Sequence, residues 1–165
     1  DIEIYTREMI KMKEQLNVIL ARHTGKTVEQ LEKDTARNNF MSAADARRAV
    51  EIGCTGIVVS NHGGRQLDGS RSSFDQLAEI VDAVGDRIDV LMDGGVQRGS
   101  HVLKALSVGA KAVGVGRYYL WPLAAAGQAG VERALGLMRT EIERDMKLMG
   151  CTAISQLSRS NLRFR

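Results

Sequence analysis

Apolar residues in the first fifty positions recur at every third or fourth residue, which is the spacing of an α-helix. This spacing predicts a long helix over residues 2–21. Its apolar stripe consists of Met9, Met12, Leu16, Ile19 and Leu20. Two shorter helices are predicted over residues 27–36 and 42–52. Thr27 and Ser42 stand at their starts, where a hydroxyl side chain caps free backbone N–H groups.

From residue 56 onward, short apolar runs alternate with segments of helical spacing. The predicted strands are residues 56–60, 88–92 and 112–115. The predicted helices between and after them are residues 74–84, 100–108, 119–126 and 130–149. Strands that are linked through helices run parallel to one another. The sequence therefore predicts an α/β fold with a three-stranded parallel sheet.

Composition sets limits on the class of protein. A chain of 165 residues, 44% of them apolar, is long enough to form one compact domain. Cys54 and Cys151 lack the spacing of metal ligands and indicate reduced thiols in a cytoplasmic protein, so we predict no metal site. The sequence shows no signal peptide and no apolar run long enough to span a bilayer, so we predict no membrane partner.

The net charge of +3 adds little to this picture. Much of the basic excess lies near the chain end, in Arg159, Arg163 and Arg165, which we interpret as a solvated tail. A nucleic-acid surface combines a basic stripe with interleaved aromatic residues, and aromatic residues are only 4% of this chain. We therefore predict no nucleic-acid partner.

The first candidate for chemistry is the loop Ser60-Asn61-His62-Gly63-Gly64-Arg65-Gln66-Leu67-Asp68-Gly69, directly after the first predicted strand. Its glycines allow the backbone to turn sharply and to approach a ligand. His62 can exchange a proton near neutral pH. Arg65 offers a planar fork for a carboxylate or phosphate.

The second candidate combines two glycine-rich loops at the ends of the next two predicted strands. One contains Asp93, Gly94, Gly95 and Arg98, and the other is Gly116-Arg117. Backbone N–H groups at a helix start favour an anion, and phosphates commonly lie in loops of this kind in parallel barrels. The spacing therefore predicts an anion site between the two loops.

These loops resemble the active-site and phosphate-binding signatures of the FMN-dependent 2-hydroxy-acid oxidases and dehydrogenases, the glycolate oxidase and lactate dehydrogenase family. The resemblance covers residues of about 45–165 and implies the last three strands of a (β/α)8 barrel. It implies that His62 is the base that takes a proton from the substrate and that Arg65 pairs with the substrate carboxylate. It also implies FMN-phosphate contacts from Asp93, Gly94, Gly95, Arg98, Gly116 and Arg117.

The chain departs from this family's pattern at several positions. Gln97 replaces the first of two arginines, and a backbone N–H at this position could make the phosphate contact instead. His101 stands where the family often has aspartate, and we interpret it as a surface helix residue. No lysine equivalent to the one that stabilises reduced flavin stands in Arg37-Asn38-Asn39-Phe40-Met41. We therefore expect no turnover by the isolated chain.

Residues 1–46 resemble a different family, the Clp-type serine peptidases with a crotonase-like fold. The resemblance is carried by Asp1-Ile2-Glu3-Ile4, by the run from Arg22 to Thr35, and by Asn39-Phe40-Met41-Ser42-Ala43. It implies an engineered or recombined chimera joined within residues 42–46, with a helical segment 1–46 and a partial barrel 45–165. Asn38 stands in the motif where the peptidase has its catalytic aspartate, so we expect no peptidase activity.

Three functions remain open at this point. The first is a chimera that binds FMN, or another phosphate or anion, without turnover. The second is a ligand-free structural or fold-test protein. The third is a flavoenzyme completed by self-association, in which two partial barrels pair their open strand edges and oxidise a small 2-hydroxy acid.

Overall fold

The computed structural model describes residues 2–34, 42–65 and 69–163, which form two compact units, residues 1–40 and 41–165. The first unit contains α1 (Ile2–Thr24) and α2 (Val28–Asp34). Gly25 ends α1 at φ 69°, with its N–H donated to the Ala21 carbonyl at 3.1 Å. The Thr27 hydroxyl accepts the Gln30 N–H at 3.2 Å, which confirms the predicted cap of α2.

The second unit alternates helices and strands as the sequence predicts. Its elements are α3 (Ala43–Glu51), β1 (Gly56–Val59), α4 (Ser73–Val84), β2 (Asp89–Met92), α5 (Gly99–Val108), β3 (Ala112–Val113) and α6 (Leu120–Leu148). The sheet order is β1-β2-β3 and both pairs are parallel, which confirms the predicted parallel α/β arrangement. The strands are shorter than predicted, and β3 keeps only two residues.

Local sequence explains where these helices begin. Ser42 caps α3 and forms a capping box with Asp45, in which the Ser42 N–H donates to the Asp45 carboxylate at 2.7 Å. This hydrogen bond holds the pKa of Asp45 below its usual value. The Ser72 hydroxyl caps α4 by accepting the Asp75 N–H at 3.1 Å. The Ser42 hydroxyl accepts the Asp45 N–H in the corresponding place at 3.4 Å, so a side-chain oxygen satisfies a backbone donor at both helix starts.

The two helices predicted near the chain end form one helix with an interruption. Within α6, Ala126 and Gly127 have non-helical backbone angles, and Gly127 lies at φ 57°. The interruption falls at the end of the predicted segment 119–126 and before the predicted segment 130–149. A glycine at positive φ allows this break at little steric cost.

One face of the sheet carries the core. Leu77 and Val84 of α4 and Val90 of β2 are each at most 1% exposed. Helix α4 packs on β1 and β2, and α5 packs on β3. Burial of three such side chains contributes roughly 1.5–3 kcal/mol each to stability. The helical face of the sheet is therefore well packed.

The other face of the sheet is open. Val58, Leu91 and Ala112 pair in register across the three strands, so their side chains lie on one face. Val58 is 57% exposed and Ala112 is also exposed, whereas Leu91 is half-buried. Parallel sheets are usually covered on both faces. The three strands therefore have the surface of an incomplete barrel.

The chain end differs from the predicted solvated tail. Arg159 donates two hydrogen bonds to the Asp82 carboxylate, at 2.6 and 3.2 Å, and reaches the Val108 carbonyl at 3.3 Å. Leu162 packs against the core. The interpretation of Arg159 as a solvated residue was wrong, because it joins the end of the chain to α4 and α5. Arg165 lies outside the described residues.

Several predictions concern parts of the chain that the structure does not describe. The segment 37–41, with Asn38, lies outside the described residues, as do residues 35–36 of the second predicted helix and residues 66–68 of the histidine loop. Cys54 and Cys151 are free thiols. Among the described residues, no helix has both the length and the apolar character needed to cross a bilayer. The domain organisation and the cytoplasmic location stay predictions.

Candidate functional site

The carboxyl ends of the three parallel strands lie at the same edge of the sheet, and the predicted site residues follow them. A cavity of about 1130 Å³ opens at this edge. All eight predicted site residues line it: His62, Arg65, Asp93, Gly94, Gly95, Arg98, Gly116 and Arg117. Residues from three separate loops, up to 55 positions apart in the numbering from His62 to Arg117, are thus brought together. Ligand sites of α/β sheets commonly occupy this position.

The histidine loop turns through an unusual backbone conformation. His62 lies at φ 53° and Gly63 at φ 67°, both in the left-handed region. This costs a non-glycine residue about 1–2 kcal/mol. Two side chains hold the turn: the His62 N–H donates to the Ser60 hydroxyl at 3.1 Å, and the Gly63 N–H donates to the Asn61 amide oxygen at 3.0 Å. The turn leaves His62 exposed at the cavity rim.

Arg117 connects its own loop, Gly116-Arg117, to the loop after β1 that contains His62 and Gly63. Its guanidinium donates to the Gly63 carbonyl at 2.8 Å. A Cβ atom added at Gly63 would collide with this guanidinium, so the close approach requires glycine. Arg117 therefore links the Gly116-Arg117 loop to the loop that carries His62.

The glycines that follow β2 and β3 differ in the space available around their Cα atoms. A Cβ at Gly94 would lie 2.7 Å from the Asn61 amide oxygen and 2.9 Å from the Ser73 hydroxyl, so Gly94 packs inward. At Gly95 and Gly116, nothing lies within 4 Å of an added Cβ. Both have positive φ and face the cavity. Their backbones are therefore accessible for close approach by an anion.

Asp93 directly precedes Gly94 and Gly95 and lines the same cavity. Its Oδ1 atom is buried and has no hydrogen-bond partner among the described residues. Buried polar atoms are normally paired, so an unpaired oxygen beside a cavity fits a site that a ligand hydroxyl or a water completes. The Ser73 hydroxyl, also buried, is likewise unpaired within the described part of the chain.

Arg98 is engaged by a residue that sequence reasoning missed. Its Nε donates to Glu141 of α6 at 2.8 and 3.0 Å, and its Nη2 lies 2.7 Å from the same carboxylate. Glu141 also accepts the Gly99 N–H at 2.7 Å. Arg98 and this N–H hold the pKa of Glu141 below its usual value, and Glu141 raises the pKa of Arg98. No pattern links Glu141 to a loop 42 positions earlier, so the sequence gives no signal for this pair.

Gln97 and His101 form a hydrogen bond with each other. The backbone N–H of Gln97, which could make a phosphate contact according to the sequence, donates to the Nδ1 atom of His101 at 3.3 Å. His101 lies in the first turn of α5, as the interpretation of a helix residue implies, and it is half-buried. Helix periodicity does not reveal a side-chain-to-backbone hydrogen bond of this kind.

The remaining charges favour an anionic ligand. Within the described part of the chain, neither Arg65 nor Arg117 forms an ion pair. Arg98, in contrast, is neutralised by Glu141. Two guanidinium groups that have no ion-pair partner among the described residues therefore line the cavity from different loops. Across residues 2–34, 42–65 and 69–163, no group of three or more His, Cys, Asp or Glu side chains could hold a metal ion.

Comparison with known proteins identifies relatives of this arrangement. The family model described as FMN-dependent dehydrogenase matches residues 17–164. An L-lactate oxidase from a Nostoc species is 52% identical over 118 residues, which cover 72% of this chain and 32% of that protein. The match begins at residue 17, inside the segment 1–46 for which the sequence predicts a peptidase origin.

Solved structures agree in fold. A crystal structure of mandelate oxidase with benzoyl-formic acid superposes with a TM-score of 0.69 at 51% identity, covering 73% of this chain and 36% of that one. A monotopic membrane protein, (S)-mandelate dehydrogenase, superposes with a TM-score of 0.73 at 42% identity, covering 77% of this chain and 34% of that one. The chain thus spans about a third of the length of the relatives it matches.

Proposed function

Because this chain belongs to the FMN-dependent dehydrogenase family, we propose that it binds FMN through its phosphate and that the isolated chain does not turn over. The observation that carries this proposal is the convergence of three strand-end loops on one cavity, with Gly95, Gly116 and Arg117 accessible to an anion. FMN is the cofactor of the family, and the loops that would hold its phosphate are present here.

The proposed cofactor contacts divide by chemistry. The backbones of Gly95 and Gly116 allow the phosphate oxygens to approach N–H groups, and Arg117 supplies a charge-assisted donor. Asp93 offers a buried acceptor for a hydroxyl group. Gly94 has an indirect role, because it lets the loop pack against Asn61 and Ser73. The contributions of all eight predicted residues stay proposals.

His62 and Arg65 would act on a small 2-hydroxy acid. FMN, when bound, accepts the two electrons released as the hydroxy acid becomes a 2-oxo acid. His62 would take a proton from the substrate carbinol, and Arg65 would orient its carboxylate. Both side chains are exposed at the cavity rim, with room for a ligand between the loops.

The same geometry explains why we expect no turnover by this chain alone. In the described residues, no carboxylate hydrogen-bonds to the His62 ring, whereas a catalytic histidine base is commonly oriented by such a partner. The sheet face that carries Val58 is open. General-base help is worth about 10²–10⁴-fold, whereas positioning contributes roughly 7–11 kcal/mol. Loss of positioning should therefore lower the rate of oxidation by more than His62 as a general base can raise it.

A flavoenzyme completed by self-association is the second candidate. Val58 is 57% exposed, and among the described residues β1 and β3 each have one strand edge without a partner strand. Another partial barrel could cover this apolar surface and these backbone groups. A ligand-free structural protein is the third candidate, and the convergence of the three strand-end loops on one cavity disfavours it.

The chimeric origin is a separate hypothesis. It rests on the resemblance of residues 1–46 to Clp-type peptidases and on no other observation. For residues 17–46 the family match favours an FMN-dependent dehydrogenase origin instead. Peptidase activity stays unexpected on either origin.

The absorbance spectrum of the purified protein, before and after adding FMN and desalting, tests the proposal. We expect retained flavin absorbance in a monomer, without dye reduction when lactate or glycolate is added. Protein that loses all flavin on desalting, and does not quench FMN fluorescence in a titration, would favour the ligand-free candidate. Dye reduction confined to an oligomeric fraction, and abolished by His62→Ala, would favour the self-associated flavoenzyme.

A further inference from the structure

The start of α5 lacks a cap from its own sequence. Arg98 occupies the N-cap position and makes no side-chain capping bond, because a guanidinium has donors and no acceptor. The first backbone N–H groups of a helix need acceptors from elsewhere. Arg98 and Gly99 directly follow the loop of Asp93–Gln97 that lines the cavity. We call the loop Asp93–Gln97 the anion loop. A group that accepts the first N–H groups of α5 therefore also holds the end of the anion loop in place.

Glu141 supplies the missing acceptor from a different helix. One carboxylate oxygen accepts the Gly99 N–H at 2.7 Å, and the carboxylate also holds the Arg98 guanidinium through contacts of 2.7 to 3.0 Å. The Glu141 side chain is 22% exposed, against 60% for Arg98, so the carboxylate is the more enclosed partner. A negative charge at a helix N-terminus is also favoured by the helix dipole.

The backbones of α5 and α6 approach closely at Gly99. A Cβ at Gly99 would lie 2.6 Å from the Glu141 Cβ and 2.7 Å from the Ile142 backbone nitrogen. Gly99 therefore lets α5 and α6 approach until the carboxylate reaches the Gly99 N–H. Beside it, the Gln97 N–H is donated to His101. The end of the loop is thus held by hydrogen bonds from two backbone N–H groups, those of Gln97 and Gly99.

We propose that Glu141 is a positioning residue for the anion loop: it caps α5 in place of Arg98 and holds the Arg98 guanidinium away from the anion. This inference rests on the proposed FMN-phosphate site and refines it. Arg98 then acts through Glu141, and Arg117 is the guanidinium that contacts the phosphate. The affinity for the phosphate part of FMN should depend on Glu141, which does not line the cavity.

The test compares FMN with riboflavin, which lacks the phosphate, by fluorescence titration well below the unfolding temperature. We expect Glu141→Ala to weaken FMN binding roughly tenfold, as loss of a charge-assisted loop contact does, and to leave riboflavin binding unchanged. A purely structural role would lower the unfolding temperature without changing the ratio of the two affinities. Glu143→Ala is the matched control, because Glu143 lies on the same helix and pairs only with Arg139 in the described residues.

Arg98 variants distinguish the two roles of that guanidinium. If Arg98 acts through Glu141, Arg98→Ala should weaken FMN binding, and Arg98→Ala with Glu141→Ala should be no weaker than Glu141→Ala alone. If Arg98 contacts the phosphate directly, Glu141→Gln should free it and strengthen FMN binding. Strengthened binding, or an unchanged FMN-to-riboflavin ratio in Glu141→Ala, would overturn the proposal.

Failure of the proposed function gives a different result. If the unaltered chain binds neither flavin, the FMN-phosphate site itself is wrong. Exchange of the Gly99 amide hydrogen in the ligand-free protein then decides whether Glu141 holds the loop. Protection that Glu141→Ala removes and Glu143→Ala keeps would support the positioning role, and protection unchanged in both variants would overturn it.

Discussion

Replacement of Arg117 by alanine is the most informative perturbation of the cavity, because this side chain belongs to two loops at once. The guanidinium donates to the Gly63 carbonyl at 2.8 Å and faces the space beside Gly95 and Gly116. A hydrogen bond to a charged group contributes about 1.5–3 kcal/mol, or roughly 10- to 150-fold in affinity. Arg117 is exposed, so solvent screening places the expected loss near the lower limit, about tenfold.

The assay is a titration of FMN by fluorescence quenching at low ionic strength, where screening is weakest. Arg139→Ala provides the control: Arg139 is 82% exposed on α6, and its removal changes the net charge equally without touching the cavity. We expect FMN binding to weaken about tenfold in Arg117→Ala and to remain unchanged in Arg139→Ala. Equal affinities in Arg117→Ala and the unaltered chain would refute the assignment of the phosphate to this guanidinium.

Three further predictions concern stability. Gly94→Ala should lower the free energy of unfolding in urea more than Gly95→Ala does. Both glycines have positive φ, but only at Gly94 would a Cβ meet neighbouring atoms within 3 Å. Equal decreases in the free energy of unfolding would contradict this prediction. Leu77→Ala should lower the unfolding free energy by about 2–5 kcal/mol, because Leu77 is fully buried; a loss below about 1 kcal/mol would show that this core is loosely packed. The Ser42 backbone N–H lowers the pKa of Asp45, so the charged carboxylate stabilises α3 above about pH 4, and this stabilisation disappears as the pH falls through the folded pKa. Asp45→Asn should therefore cost about 1 kcal/mol at pH 7 and progressively less in acid, and a cost independent of pH would contradict the capping role.

Much of the second unit could be predicted from the sequence because its signals are local. Glycines, capping hydroxyls and short apolar runs fix where β1, α4, β2 and α5 begin and end within a few residues. Parallel pairing then follows from the connections through helices. The convergence of the glycine loops could be predicted for the same reason, since the carboxyl ends of adjacent parallel strands share one edge.

The features that the sequence did not predict depend on contacts between distant residues. Glu141 binds Arg98 across 43 positions, and Arg159 binds Asp82 across 77. Each arginine looks like a solvated or ligand-binding cation when only its neighbours in the sequence are considered. Its partner is determined by how α6 and the chain end pack on α4 and α5, which hydrophobic periodicity does not specify.

The backbone of the histidine turn also could not be predicted. Glycine predicts positive φ at Gly63, but nothing in the local sequence predicts φ 53° at His62. The turn exists because Ser60 and Asn61 accept its N–H groups and Arg117 holds its Gly63 carbonyl. Strained residues held by several contacts are typical of functional sites.

The proposed phosphate site can be tested by comparing the binding of FMN and riboflavin to the purified, unaltered chain. The two ligands share the ring and ribityl chain and differ in the phosphate that the loops at Gly95, Gly116 and Arg117 are proposed to hold. We expect FMN to bind at least tenfold more tightly than riboflavin. This preference should diminish as salt is added, and inorganic phosphate should compete with FMN. Equal affinity for the two flavins, independent of salt and phosphate, would contradict the proposed phosphate site.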